Sequence, residues 1–171
     1  MPRERTYRSV GREFLDDAPI RVAVRSALPV DADTAWRALA DAPSWAEWIP
    51  GAKEFAWTSE PPHGVGSTRS AGVGAGVLEE RFVAWEPGRR MVFVMERGTV
   101  PTIGAMAEEW TLEPRGAECQ AVARYAIELA GRAAVATPVT QRLLTPIVSR
   151  MPRAFADWLA TNGHRYAEAD S

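Results

Sequence analysis

Hydrophobic and polar residues alternate with a period of two along most of the chain. The clearest case is residues 20–28, where Ile20, Val22 and Val24 alternate with Arg21 and Arg25, a pattern that predicts a half-buried strand. Later apolar stretches are separated by short turns rich in Pro and Gly, which is typical of successive antiparallel strands. These later strands are predicted at residues 55–57, 67–71, 77–85, 90–96, 106–113 and 119–129.

The period changes to three and four residues at the C-terminal end. Between Thr137 and Tyr166 this spacing places the apolar side chains on one face of a helix. Those side chains are Leu144, Val148, Met151, Phe155, Trp158 and Leu159. Either Pro146 or Pro152 is expected in the interior of this helix, where a proline removes a backbone hydrogen bond and bends the axis. We therefore predict one long, bent helix that packs on the sheet.

Two short helices are predicted between the first strand and the others. Asp31 or Asp33 can cap the first helix, which runs through Leu39. The second helix carries Trp45 and Trp48 and ends at the Pro-Gly pair that follows.

The first 18 residues differ from the rest because they contain four arginines and few apolar side chains. We predict that residues 1–18 form a flexible or loosely packed arm and that residues 19–168 form a single domain. An arm that binds a partner is the alternative.

Composition excludes several classes of protein. A chain of 171 residues with 46% hydrophobic residues is long enough for one domain with a sizeable core. The net charge of −2 gives no electrostatic argument for binding nucleic acid or an anionic membrane. The single Cys119 excludes an internal disulfide, and no apolar stretch approaches the roughly 20 residues that span a bilayer. Together with the absence of an apolar signal segment, these features predict a cytoplasmic protein.

No known catalytic or metal-binding motif is present. The glycines of residues 72–76 lie between predicted strands, so they indicate a turn and not a phosphate-binding loop. His63 and His164 are far apart and come without the ligands of a zinc site or the nucleophile of a hydrolase. We therefore expect neither a metal nor a cofactor.

Candidate chemistry lies on the sheet face that meets the helix. Period-two geometry places Glu108 on the same face as Trp110 and Leu112. A carboxylate on an apolar face is costly unless it is paired, hydrogen-bonded or protonated, and Tyr125 could offer a hydroxyl to the same space. The two interpretations are a small-molecule pocket with a few polar groups and a structural ion pair near the rim.

Two arginines are candidates for that pair or that pocket. Arg81 shares a face with Val77, Val83 and Trp85, which slightly favours an inward orientation. The neighbours of Arg69 do not alternate clearly enough to decide its orientation.

Several short sequences resemble the START/Bet v 1-like superfamily. They are LPVDADTAW at residues 28–36, DAPSWAEW at 41–48, ERFVAWEPGRR at 80–90 and WTLEP at 110–114, the last two being similar to the polyketide cyclase/dehydrase and lipid-transport branch. The resemblance covers residues 20–165. It implies an α+β helix-grip fold, in which a curved antiparallel sheet of about seven strands wraps around the C-terminal helix and encloses a deep hydrophobic cavity.

The resemblance implies three functions: binding of a lipid, isoprenoid or aromatic polyketide, a polyketide aromatase/cyclase-dehydratase activity, or a protein-interaction role. No histidine lies in the predicted sheet or pocket, which departs from the enzymatic pattern and favours binding. In an enzyme, Glu108 or Tyr125 would exchange a proton, and Arg69 or Arg81 would stabilise an enolate oxygen. The oligomeric state is open, with a homodimer as one option.

The cavity wall that the resemblance implies would include eleven ligand-binding residues, although each could equally fill a solid core. They are Trp48, Trp57, Arg69, Arg81, Met91, Phe93, Met95, Met106, Trp110, Phe155 and Leu159. The segments 98–101 and 131–137 would form the entrance or a lid.

Overall fold

Antiparallel strands form a single eight-stranded sheet in the computed structural model, which describes residues 3–167 and only the backbone at residues 135 and 136. The order across the sheet is β2-β8-β7-β6-β5-β4-β3, and β1 pairs with β6. The strands are β1 (Arg5–Thr6), β2 (Ile20–Leu28), β3 (Ala52–Trp57), β4 (Thr68–Val73), β5 (Gly76–Glu86), β6 (Arg90–Gly98), β7 (Ile103–Arg115) and β8 (Glu118–Leu129). Residues 1, 2 and 168 of the predicted segments lie outside the described residues.

Short turns connect β4 through β8 in chain order, and a ten-residue loop at 58–67 joins β3 to β4. Gly88 lies between β5 and β6 with φ 71°, and Gly116 lies between β7 and β8 with φ 73°. Side chains strain this left-handed conformation, so glycine permits both tight reversals. The meander of neighbouring strands that the sequence predicts is therefore confirmed.

Two short helices follow β2, as the sequence predicts. In α2 (Ala32–Ala40), Asp31 is the N-cap, and its carboxylate accepts a hydrogen bond of 2.8 Å from the backbone N–H of Thr34. The next helix, α3 (Trp45–Trp48), buries both tryptophans at its ends against the concave face of the sheet.

The C-terminal helix is divided into α4 (Thr137–Val148) and α5 (Met151–Asn162). Pro146 lies within α4, whereas Pro152 is the second residue of α5. Pro152 has no N–H to donate to Val148, and its ring would clash with that carbonyl in a continuous helix. The predicted single bent helix is therefore two consecutive helices, separated at Ser149 and Arg150.

The helix-grip fold is confirmed. Helix α5 lies against the concave face of the sheet, where Phe155 and Leu159 are buried. Rings from α3, the sheet and α5 contact one another edge-on or tilted, with centroids about 5–6 Å apart, an arrangement that stabilises an aromatic core. These rings are Trp45, Trp48, Phe93, Trp110 and Phe155.

The N-terminal segment packs against the sheet, so the prediction of a loosely packed arm is wrong for the described residues 3–18. Strand β1 extends the ladder beside β6, and the Tyr7 hydroxyl lies 3.2 Å from the carbonyl oxygen of Val100, to which it donates. Helix α1 (Phe14–Asp17) buries Phe14 and Leu15 on the convex face of the sheet. The apolar side chains of Tyr7, Phe14 and Leu15 are buried in this segment, and the ion pair of Arg8 with Glu128 also holds it. No helix among residues 3–167 is long and apolar enough to cross a membrane.

Candidate functional site

A cavity of about 310 Å³ lies between the concave face of the sheet, helix α3 and the break between α4 and α5. Strands β3 to β7 supply its floor, and Val73, Ile147 and Arg150 are exposed at its mouth. The lining residues are Trp45, Ile49, Pro50, Phe55, Ala71, Val73, Leu78, Glu80, Met95, Met106, Glu108, Ile147, Arg150 and Met151. The wall is therefore apolar apart from two carboxyl groups and one guanidinium.

Glu108 is a buried carboxyl group in this wall. It lies on β7 directly across from Tyr125 of β8, and its Oε1 accepts a hydrogen bond of 2.7 Å from the indole N–H of Trp110. Burial raises the pKa of Glu108 to about 8, because desolvation outweighs the hydrogen bond from Trp110. Glu108 is therefore mostly protonated at neutral pH and can donate a hydrogen bond.

Glu80 is the second carboxyl group, and it forms a buried ion pair with Arg69. The Arg69 Nε donates a hydrogen bond of 2.7 Å to Glu80 Oε2, and its Nη2 approaches the same oxygen to 2.6 Å without hydrogen-bond alignment. Arg69 is 0% exposed, and its guanidinium lies 4.2 Å from the ring centroid of Trp45 and 5.0 Å from that of Phe93. Burial raises the pKa of Glu80, and the pairing with Arg69 opposes that rise.

Arg69, whose orientation the sequence did not decide, points inward but does not line the cavity. Its guanidinium is enclosed by aromatic rings and committed to Glu80. Arg69 therefore favours the ionised form of Glu80 and cannot itself reach a ligand in this conformation.

The predicted inward orientation of Arg81 is wrong. Strand β5 contains a bulge, because Phe82 pairs with Phe93 and Ala84 pairs with Val92, which leaves Val83 without a partner in the ladder. The extra residue inverts the alternation before it, so that Phe82 faces the core while Arg81 faces outward and pairs with Glu96.

Tyr125 lies near the cavity without lining it. Its side chain is 1% exposed, and its hydroxyl has no hydrogen-bond partner among residues 3–167. Burial and the neighbouring Glu108 raise the pKa of Tyr125 well above its ordinary value of 10. The hydroxyl therefore stays protonated.

Among the other predicted ligand-binding residues, Met95 and Met106 line the cavity. Trp57 stacks on His63 with centroids 4.0 Å apart and packs against Phe82 and Trp85. The remaining predicted residues fill the core beside the cavity: Trp48, Met91, Phe93, Trp110, Phe155 and Leu159.

Sequence reasoning missed Glu80 and most of the wall. Alternation counted back from Phe82 would have turned Glu80 inward, but the bulge at Val83 hid that register. Trp45 lies three residues before Trp48, and the helical spacing alone did not show which ring borders open space. No described side chain of segments 98–101 or 131–137, the predicted entrance, lines the cavity.

The described part of the chain holds no group of three or more His, Cys, Asp or Glu side chains that could bind a metal. The chemistry available at the site comes from a protonated carboxyl group, a carboxyl group paired with arginine, and an apolar wall.

Comparison with known proteins adds a family and a fold. A family model described as polyketide cyclase/dehydrase and lipid transport matches residues 19–162. Uncharacterized proteins of Mycobacterium tuberculosis and Mycobacterium bovis are 30% identical over 161 residues, which covers 94% of this chain and 92% of theirs.

Solved structures with the same fold include a START superfamily protein from Mycobacterium smegmatis and the Zhui aromatase/cyclase from a Streptomyces species. The first has a TM-score of 0.72 at 14% identity and covers 82% of this chain and 97% of its own. The second has a TM-score of 0.67 at 19% identity and covers 87% of this chain and 96% of its own. At these identities the likeness shows the fold alone.

Proposed function

This chain belongs to the polyketide cyclase/dehydrase and lipid-transport family, and on that premise we propose that its cavity binds a hydrophobic small molecule. The observation that carries the proposal is an apolar cavity of about 310 Å³ whose floor contains two buried carboxyl groups. Ligand sites typically combine an apolar wall with a few convergent polar groups in this way. A lipid, an isoprenoid or an aromatic polyketide fits this description.

The polar groups favour one orientation of the ligand. Protonated Glu108 can donate a hydrogen bond, and Glu80 can accept one, so a hydroxyl or keto group is favoured at the floor of the cavity. Arg69 supplies no free positive charge there because it is fully buried against Glu80. An anionic group on the ligand would instead lie at the mouth, near Arg150.

Filling the cavity should weaken binding. Ala71 is 1% exposed and borders the cavity, so Ala71→Leu places three additional carbon atoms in the ligand's space. We expect the affinity for the neutral fluorescent probe N-phenyl-1-naphthylamine to fall about tenfold or more, because each excluded ring contact is lost outright.

The matched control for Ala71→Leu is Met91→Leu, a buried change outside the cavity wall that should leave probe affinity unchanged. Equal affinity of Ala71→Leu and the unaltered protein for the probe would contradict binding in this cavity.

Native mass spectrometry of the purified protein, followed by solvent extraction, would identify any retained ligand.

A second candidate function is an aromatase/cyclase-dehydratase activity, and the raised pKa of Glu108 favours it. A carboxyl group with a pKa of about 8 in a cavity wall can both donate and accept a proton near neutral pH. An aromatase/cyclase shares the fold, which makes the reaction class a reasonable one to test. Glu108 would exchange the proton, and Glu80 would accept a hydrogen bond from a hydroxyl group of the substrate.

Glu108→Gln separates the binding function from the cyclase function. A cyclase should keep its substrate affinity within a few-fold and lose about 100-fold or more in turnover, because Gln keeps the shape but cannot exchange a proton. A carrier should show only the small change in affinity. Tyr125→Phe is the control, since Tyr125 is buried and does not line the cavity, so turnover should be retained. Turnover that survives Glu108→Gln would eliminate Glu108 as the acid or base.

A further inference from the structure

Helix α4 has apolar side chains on two faces. Val148 is buried against the core, whereas Val139, Leu143 and Ile147 are 62%, 64% and 59% exposed. These three residues are four positions apart, so they form one exposed apolar stripe along the helix. An apolar stripe on the side of a helix that faces away from the core is typical of a surface that binds another molecule or a membrane.

The segment of the chain that carries this stripe is positively charged. No Asp or Glu occurs between Leu129 and Ala156, and the only charged residues in that segment are four arginines: Arg132, Arg142, Arg150 and Arg153. All four are exposed. None of their side chains forms a hydrogen bond or ion pair with another residue in 3–167, whereas most other arginines of the protein are paired.

We propose that the exposed face of α4, defined by Val139, Leu143 and Ile147, docks on an anionic lipid bilayer together with the four arginines of the same segment. The apolar stripe would enter the boundary between headgroups and acyl chains, and the arginines would contact lipid phosphates or carboxylates. The partner must have an apolar interior beneath a negatively charged surface. A bilayer with anionic headgroups has both properties, and its charge is opposite to that of a segment that contains arginines and no carboxylate.

The net charge of −2 does not argue against this surface. Attraction to a charged bilayer acts over about one Debye length, ~8 Å at physiological ionic strength, so the local charge matters more than the total. The acidic residues that give the chain its net negative charge all lie outside the segment from Leu129 to Ala156.

The docking face lies beside the mouth of the cavity, so docking would orient the cavity toward the membrane. Ile147 belongs to the apolar stripe and also lines the cavity. Arg150, one of the four arginines, lines the cavity as well. Docking would therefore bring the mouth of the cavity to the lipid surface. A hydrophobic ligand could then pass between bilayer and cavity with little exposure to water.

Vesicle flotation tests this docking surface. The protein is expected to float with vesicles of phosphatidylcholine and phosphatidylserine, to float poorly with phosphatidylcholine alone, and to dissociate at high salt. Arg142→Gln should lower partitioning onto the anionic vesicles about fivefold, and Leu143→Gln about tenfold. Neither residue lines the cavity, so binding of N-phenyl-1-naphthylamine should be unchanged in both variants.

Two control variants replace an exposed arginine and an exposed aliphatic residue by glutamine elsewhere on the protein. Arg12→Gln removes an exposed arginine outside the patch, and Val65→Gln removes a valine that is 69% exposed outside the patch. Both should partition like the unaltered protein. Failure to float with anionic vesicles, or equal partitioning of the patch variants and the controls, would overturn the proposal. A dimer in light scattering that becomes a monomer in Leu143→Gln would also overturn it, in favour of a second copy on this face.

Discussion

Replacing Arg69 by methionine should lower the free energy of unfolding by about 3–5 kcal/mol. Arg69 is 0% exposed, and Glu80, its partner at 2.6 Å, is 3% exposed. Without the guanidinium, Glu80 must either remain as an unpaired buried charge or take up a proton. The cation–π contact with Trp45 is lost as well. Chemical denaturation at neutral pH measures the difference.

Arg81→Met provides the matched comparison. Arg81 also pairs with a glutamate across neighbouring strands, but its side chain is 34% exposed and that of Glu96 is 45% exposed. Solvent screens this pair, so its loss should cost less than about 1 kcal/mol. The double variant Arg69→Met/Glu80→Gln should recover part of the stability lost in the single variant, because it removes the unpaired charge. Similar losses for Arg69→Met and Arg81→Met would refute a buried ion pair.

Glu108→Gln should stabilise the protein increasingly as pH rises from about 4.5 to about 8. The carboxyl pKa rises from its ordinary 4.5 in the unfolded chain to about 8 in the folded protein. Between these values the folded state holds a proton that the unfolded state has released, so the stability of the unaltered protein falls by about 1.4 kcal/mol per pH unit. Below pH 4.5 the carboxyl group is protonated in both states, and its contribution no longer changes.

Glutamine at position 108 can still accept the hydrogen bond from Trp110 and does not titrate. The difference in unfolding free energy between Glu108→Gln and the unaltered protein should therefore grow by roughly 4 kcal/mol across this window. Urea denaturation at several pH values measures it. The control, Glu113→Gln, changes a glutamate whose side chain is 42% exposed and should shift stability by less than about 0.5 kcal/mol at any pH. A constant difference between Glu108→Gln and the unaltered protein would show that Glu108 is not buried as a neutral acid.

The order of elements and the orientation of Glu108 could be predicted from the sequence because both depend on short-range periodicity. Strand β7 keeps a regular alternation through Glu108, Trp110 and Leu112, so a period of two gave the correct face. The cap at Asp31 and the reversals at glycine are likewise local features.

The register of β5 and the emptiness of the cavity could not be predicted because neither is local. The bulge at Val83 depends on how β5 pairs with β6, and no residue within β5 marks it. Met95 borders open space while Met91, four residues earlier on the same strand, is fully packed. That difference comes from what the helices leave uncovered, which an alternating pattern does not contain.

The interruption at Ser149 and Arg150 has a kinetic consequence. Helix α5 is held by Pro152, Phe155 and Leu159, whereas Val148 is the one buried side chain among those described in α4. Since the two helices do not share a continuous ladder of hydrogen bonds, we expect α4 to open more readily than α5 and the sheet. The residence time of a molecule in the cavity would then depend on the opening rate of α4, independently of the melting temperature of the domain.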